Sequence, residues 1–267
     1  GVAQGEHGVM TDVLGWRLDD TVALIRGAAD SVVLLDVLPA EAGPDGKHKL
    51  VSLVRKKISL EDQAAKKSVL SVTDGKVSRQ VGVISLPSFY EDFEARRKGD
   101  KDFRSATRDV ARLLGELKQQ GADGVLIDLR NNGGGSLKEA VELTGLFIGK
   151  GPVVQQRNAR GQMVTMESRA SAEMAWDGPL GVLIDRGSAS ASEIFAAAIQ
   201  DYGRGVVMGE PSFGKGTVQT MINLDEVAKN DKQNFGELKL TVAQFFRING
   251  GTTQLRGVSP DILFPTV

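Results

Sequence analysis

The stretch Gly124-Val125-Leu126-Ile127-Asp128-Leu129, followed at once by Arg130-Asn131-Asn132-Gly133-Gly134-Gly135, decides the fold. A short apolar run bounded by glycines is a strand buried in a core. Just upstream, Phe103, Ala106, Val110, Leu113, Leu114 and Leu117 fall on one face of a helix over 102–119, which Gly121 stops. Before it, Val81–Leu86 is a second strand, ended by Pro87. Downstream the spacing predicts a helix over 136–147, strands at 152–156 and 181–184, a helix over 190–202, a strand at 206–208 and a last long strand at 238–246. Strand, crossover helix, strand recurs three times. That alternation predicts an α/β core with a mainly parallel sheet, in which the loops at the carboxyl ends of the strands carry the site.

The first sixty residues read differently. Leu18, Val22 and Ile25 give a helical spacing over 16–25. Residues 31–39 form a strand, and 31–54 make a hairpin with a long loop at 41–49. One helix beside a few strands is too little for a complete domain, so this is the back half of a small β-rich domain whose first strands are absent. The polar stretch 59–67 reads as a linker. Two units follow, 1–58 and 59–267.

Composition narrows the chemistry. The chain has 267 residues, enough to bury roughly 70–75% of its unfolded surface. Its 33 basic residues balance 34 acidic ones, unlike the basic stripe of a nucleic-acid binder. It has no cysteine, which excludes disulfides, thiol nucleophiles and thiolate metal sites. No 18-residue apolar run reads as a membrane span. The chain starts at Gly1 without an initiator Met or signal peptide and reads as a processed or trimmed piece. Only two histidines occur, His7 and His48, each in a polar, glycine-containing loop. A serine nucleophile here would need another base, and lysine is the best substitute.

Three loops hold the unusual residues. Asp185-Arg186-Gly187-Ser188-Ala189-Ser190-Ala191-Ser192-Glu193 crowds small residues between a strand and a helix. A serine there either caps the helix or is a nucleophile on a tight turn, with the helix N-terminus stabilising negative charge. Gly209-Glu210-Pro211-Ser212-Phe213-Gly214-Lys215-Gly216-Thr217 nearly matches a phosphate loop. Gly216, however, replaces the magnesium-binding hydroxyl, and an extended segment follows where a helix is required. Its glycines instead let the backbone approach closely and turn Lys215 inward. The Gly133–Gly135 loop offers free backbone N–H groups for an oxyanion. Together they make a serine nucleophile, a lysine base and an oxyanion cradle. A lysine at its reference pKa is only about 0.04% neutral at pH 7. The base must therefore be tuned downward, which predicts a largely buried Lys215 with no carboxylate partner.

On these strings, with Gly15-Trp16-Arg17-Leu18-Asp19-Asp20 and Gly257-Val258-Ser259-Pro260-Asp261 beside them, the chain resembles the C-terminal processing peptidases, in their tail-specific branch from Gram-negative bacteria. The resemblance runs through nearly the whole chain. It implies Ser190 as nucleophile, 25 positions before the base Lys215, with Gln219 orienting that lysine. It implies oxyanion donors at Ala191 and at Gly134 or Gly135, with Glu193 and Asp201 in support and Ser188 and Ser192 structural. It also implies a crotonase-like peptidase core preceded by a partial PDZ domain, whose groove helix is 16–26. The enzyme so implied is a periplasmic serine endopeptidase that cuts proteins with apolar C-terminal tails through an acyl-enzyme. It needs no cofactor or metal and can be served by a lipoprotein adaptor. Two other readings compete: a crotonase-like acyl-CoA enzyme, which leaves Ser190 and Lys215 without a joint task, and a non-catalytic PDZ-type binding scaffold.

Overall fold

The computed structural model describes residues 1–56, 63–169, 173–229 and 235–265. The chain divides into two compact units, Gly1–Ser59 and Leu60–Val267. In the first, β1 (Val2–Gln4), β2 (Val32–Val37) and β3 (Lys49–Val54) form an antiparallel sheet in that order, with helix α1 (Leu18–Ile25) between β1 and β2. Short β1 pairs Val2 with Leu35, so an early strand is present where the sequence reading expects none. The Arg55 guanidinium ties the pieces together. It donates to Ile25 O at 2.7 Å, Gln4 Oε1 at 2.7 Å and Ser31 Oγ at 2.8 Å.

The second unit opens with a hairpin, β4 (Lys66–Asp74) and β5 (Val77–Ser85). Part of the linker read at 59–67 lies outside the described residues. From Ala64 onward it is structure: Ala64 and Ala65 are buried and Lys66 begins β4. Two adjacent lysines opening an edge strand look like a linker in sequence. Then come α2 (Phe93–Arg97), α3 (Ala106–Gln119), β6 (Gly124–Asp128), α4 (Leu137–Ile148), β7 (Gly151–Asn158), β8 (Met163–Ser168), β9 (Leu180–Ile184), α5 (Ala191–Asp201) and β10 (Val206–Gly209). β11 (Thr217–Asn223), α6 (Leu224–Ala228), β12 (Glu237–Phe246) and β13 (Ile262–Leu263) complete the unit.

Six strands form one sheet in the order β13-β10-β9-β6-β5-β4. All neighbours are parallel except β4, which runs antiparallel to β5. The sequence predicts three crossovers, β5-α3-β6, β6-α4-β7 and β9-α5-β10; the first and last are present, whereas the chain leaving α4 returns to this sheet only at β9. β7 departs from that scheme: with β8, β11 and β12 it forms a second, antiparallel sheet in the order β11-β12-β7-β8. Its second half is Gln155-Gln156-Arg157-Asn158, half-buried to exposed, and such residues cannot sit in a sheet covered on both faces. Helix α3 starts at Ala106 because Ser105 caps it, accepting from Arg108 N. Phe103 therefore lies outside the helix, its ring under the Arg108 guanidinium at 4.2 Å. Beneath the loops, Phe195 of α5 packs against Phe89 and Phe147, with ring centroids 6.3 and 5.7 Å away. All three rings are buried, which locks α4, α5 and the segment after β5 in register.

Candidate active site

The parallel strands β5, β6, β9 and β10 end on the same edge of the sheet, so the loops after them converge. Three are those singled out from the sequence. The fourth, Leu86–Asp92 after β5, was not. Pro87 ending a strand was its one signal. The loops border a cleft of ≈ 790 Å³, on which Ser190, Ala191, Lys215, Gln219, Gly133 and Gly135 all lie. Phe89, Ile194, Met166 and Phe245 give it an apolar wall.

The β9–α5 turn places Ser190 at the N-cap of α5 with φ 55° and ψ −108°. That is a left-handed conformation which non-glycine residues adopt only under constraint. The constraint is visible. Ser188 Oγ donates to Leu129 O at 2.8 Å and Ser192 Oγ donates to Asn132 O at 2.8 Å, both hydroxyls being fully buried. The two flanking serines thus staple the turn to the glycine loop and leave Ser190 at the apex. The N–H of Ala191, the first residue of the buried helix, has no hydrogen-bond partner among the described residues.

Glu193 joins the turn to the lysine loop. Its carboxylate is fully buried and accepts four hydrogen bonds. Oε2 takes Ser190 N at 2.7 Å and Lys215 N at 2.9 Å, and Oε1 takes Ser212 Oγ and Gly214 N, each at 2.7 Å. Ser212 Oγ in turn accepts from Val258 N at 2.7 Å. Gly214 is required where it stands: its φ is +95°, and a Cβ would lie 3.1 Å from the Leu255 carbonyl carbon.

Lys215 is half-buried rather than largely buried, because one flank of its side chain borders the open cleft. Burial pushes its pKa below the ordinary lysine value. The like charge of Lys239 on β12 pushes the same way, and Glu193 opposes both. Among the described residues Nζ has no ion-pair partner. It donates to Thr217 O at 3.4 Å, and no hydrogen bond joins it to Ser190 Oγ. Gln219 lies on β11 just past a register shift at Val218/Gln219. It is exposed and is not hydrogen-bonded to Lys215.

In the glycine loop, Gly134 has φ +102°, and a Cβ there would come within 2.7 Å of Ala189 O and 3.0 Å of Ser190 Cβ. The loop therefore presses its bare backbone against the serine turn. The two candidate donors differ. Gly134 N–H donates to Asn132 Oδ1 at 2.9 Å and is not offered to the cleft. Gly135 N–H is unengaged among the described residues. Asp201 lies elsewhere, at the far end of α5, on the order of 15 Å along the helix from Ser190. There it accepts from Arg247 Nε at 3.0 Å and Nη2 at 2.6 Å. The two histidines are exposed and lie in the first unit. Among the described residues no three acidic or histidine side chains are grouped to hold a metal.

Sequence reasoning passed over Asn132, Ser212 and Lys239. Each is an ordinary polar residue in sequence and acquires meaning only from what the fold sets beside it.

The profile of peptidase family S41 matches residues 80–264. A tail-specific protease of Haemophilus influenzae is 45% identical over 268 residues, an alignment covering 100% of this chain and 35% of that protein. A carboxyl-terminal-processing protease of Synechocystis sp. is 34% identical over 255 residues, covering 95% and 52%. The chain thus spans between a third and about half of the length of the curated relatives it matches. Among solved structures, the photosystem II D1 C-terminal processing protease superposes with a TM-score of 0.65 at 28% identity, over 95% of this chain and 61% of that one. Mature CPAF complexed with lactacystin shares the fold, with a TM-score of 0.58 at 14% identity over 91% and 65% of the two chains.

Proposed function

The chain belongs to peptidase family S41, the family of serine-type C-terminal processing peptidases that its relatives represent, and from that premise we propose that it hydrolyses peptide bonds with Ser190 as nucleophile and Lys215 as general base. The observation that carries this reading is that both side chains border one cleft while a single buried carboxylate, Glu193, holds their backbones. A Lys215 pKa pushed below the ordinary value supports it as well, since a base must lose its proton near working pH.

In this mechanism Lys215 Nζ swings from Thr217 O to Ser190 Oγ and takes the hydroxyl proton as Oγ attacks the scissile carbonyl. The developing oxyanion is received by Ala191 N–H and by a glycine of the first loop. Gly135 suits that task better than Gly134, whose N–H is already engaged. Collapse of the tetrahedral intermediate breaks the C–N bond. The Lys215 proton leaves with the amine, and an acyl ester remains on Ser190. Water, deprotonated by Lys215, then releases the acid. Gln219 restrains the swung lysine.

The rest of the proposal concerns the whole protein. The first unit is read as the second half of a PDZ domain and the second as a crotonase-like core. The substrates are proteins with apolar C-terminal tails, delivered in the periplasm, with a lipoprotein adaptor as a helper. Among the described residues no helix is long and apolar enough to cross a membrane.

The test is degradation of a reporter protein carrying an apolar C-terminal tail, together with active-site labelling by a fluorophosphonate. The proposal expects label on Ser190 and loss of both activities in Ser190→Ala and Lys215→Ala. Full turnover by Lys215→Ala would overturn the mechanism. Equal turnover of a reporter with a charged tail would overturn the substrate class.

A further inference from the structure

The side chain of Asn132 is fully buried and placed between three elements of the site. Oδ1 accepts Gly134 N–H at 2.9 Å, and Nδ2 donates to Leu86 O at 2.7 Å. Its backbone joins the same knot. Asn132 O accepts from Ala189 N at 3.0 Å and from Ser192 Oγ at 2.8 Å, while Asn132 N donates to Leu129 O at 3.1 Å. One residue thus connects the ends of β5 and β6 to the serine turn.

The consequence falls on Gly135. Gly134 O accepts from Phe89 N at 2.9 Å, and Ser136 N donates to Phe89 O at 2.8 Å, a parallel bridge between Phe89 and Gly135. In such a bridge the residue between the two bonded groups turns its own N–H to the opposite side. For Gly135, which lines the cleft, that opposite side is away from Phe89. The bridge forms only if Gly134 is rotated with its carbonyl toward Phe89 and its N–H away. Asn132 Oδ1 captures that N–H and fixes the rotation. We infer that Asn132 is a positioning residue for the oxyanion site, orienting the Gly134–Gly135 peptide so that Gly135 N–H faces the reacting carbonyl. A buried amide with both its nitrogen and its oxygen engaged is suited to this, since any other loop rotation would leave those atoms unpaired. The inference rests on the reading of Ser190 and Lys215 as the catalytic pair.

Asn132→Ala tests it, with a peptide substrate, a peptide aldehyde and the matching product acid. Ser190 Oγ gives its proton to Lys215 and adds to the aldehyde carbonyl, whose C=O π bond opens to give a tetrahedral adduct with its oxygen in the oxyanion site. The product acid binds without forming one. The expected result is a fall in kcat of about 10²–10³-fold, a parallel fall in aldehyde affinity, and unchanged KM and product affinity. A kcat loss without loss of aldehyde affinity, or a matching loss of product affinity, overturns the inference. If the alanine variant does not fold, Asn132→Asp serves. It keeps an acceptor beside Gly134 N–H and gives up only the donor to Leu86 O. Its turnover relative to wild type rises as pH falls and the new carboxyl gains a proton to donate. A flat ratio across pH overturns the inference. Ser190→Ala and Lys215→Ala run alongside: if either retains turnover, the catalytic reading itself fails. If both are dead and Asn132→Ala is fully active, only the role of Asn132 fails.

Discussion

Ser190 and Lys215 donate their backbone N–H groups to the same atom, Glu193 Oε2, at 2.7 and 2.9 Å. Two loops that are 25 residues apart in sequence are thereby held to one point, inside a fully buried pocket. The carboxylate also supplies negative charge at the first turn of α5, where it complements the helix dipole. Serine and lysine are in register because of this third residue.

Glu193→Gln is the discriminating variant. It preserves volume, but its NH₂ group must face either the Ser190 and Lys215 donors or the Ser212 and Gly214 donors. Two buried donors lose their acceptor, at about 1–3 kcal/mol each. Urea unfolding of Glu193→Gln reads that loss. Peptidase activity falls further than stability predicts, because the two reacting side chains lose their common anchor. A folded Glu193→Gln with wild-type kcat would show that the shared acceptor is dispensable.

The pH profile follows from Lys215. A lysine acts as a base only when neutral, so kcat/KM rises with pH through the pKa of its free-enzyme form. Burial, then Lys239, hold that pKa below the ordinary lysine value. Lys239→Gln removes the like charge, lets the Lys215 pKa rise, and moves the acid limb to higher pH. A limb that stays put in Lys239→Gln would detach the two lysines. The same shift has a stability sign. The fold disfavours charged Lys215, so the penalty is present wherever the amine is protonated in both states and fades as pH rises toward the unfolded-state value. Lys215→Met therefore stabilises at neutral pH, less so at alkaline pH, while abolishing turnover.

The site was legible where chemistry is concentrated in a few residues. The serine-rich turn, Lys215 and the glycine loop stand out because serine on a strand-to-helix turn, lysine between glycines and three consecutive glycines are each costly unless used; the choice of Ser190 among Ser188, Ser190 and Ser192 came only from the family resemblance. Crossover helices were legible from one-face apolar spacing, as in Val110, Leu113, Leu114 and Leu117. The edge strand β4 was not, since an edge strand can expose Val69, Leu70 and Val72 beside lysines and lose any clear alternation. β7 was recognised as a strand but assigned to the wrong sheet, because strand propensity is silent about partners. Asn132 was seen only as part of a loop. Its role depends on Leu86, Gly134 and Ser192 meeting at one place, which no local pattern encodes.

Asp201 separates support from chemistry. Its carboxylate pairs bidentately with Arg247 and also accepts from Asn249 Nδ2 at 2.9 Å. The side chains are 7% and 18% exposed, so removing one partner strands a largely buried charge. Asp201→Ala costs about 3–5 kcal/mol, read as a lower urea midpoint. Well below that midpoint, kcat/KM stays at the wild-type value. A selective kcat loss in a stably folded variant would give Asp201 a part in the reaction beyond support.

Gly134→Ala probes the close approach of the glycine loop to the serine turn. The added methyl meets Ala189 O at 2.7 Å on a backbone with φ +102°, so the loop must retreat. Strain of this kind is worth about 1–3 kcal/mol. Retreat also draws Gly135 away from Ser190, so kcat falls while KM holds. An alanine variant with native stability and turnover would mean that the loop has slack.

The last test concerns the conformation of the nucleophile itself. Ser190 sits at φ 55° and ψ −108°, where a Cβ crowds its own backbone, and strain of this kind costs about 1–3 kcal/mol. Alanine keeps the Cβ and so keeps the strain, whereas glycine relieves it. Both substitutions abolish turnover, so activity cannot distinguish them, but stability can. Glycine gives back about 0.4–1 kcal/mol through the greater freedom of its unfolded chain. Ser190→Gly should therefore unfold at a higher urea concentration than Ser190→Ala by a margin smaller than the strain itself. If alanine is the more stable of the two, the turn relaxes in solution and Ser190 is not held under strain by its flanking serines.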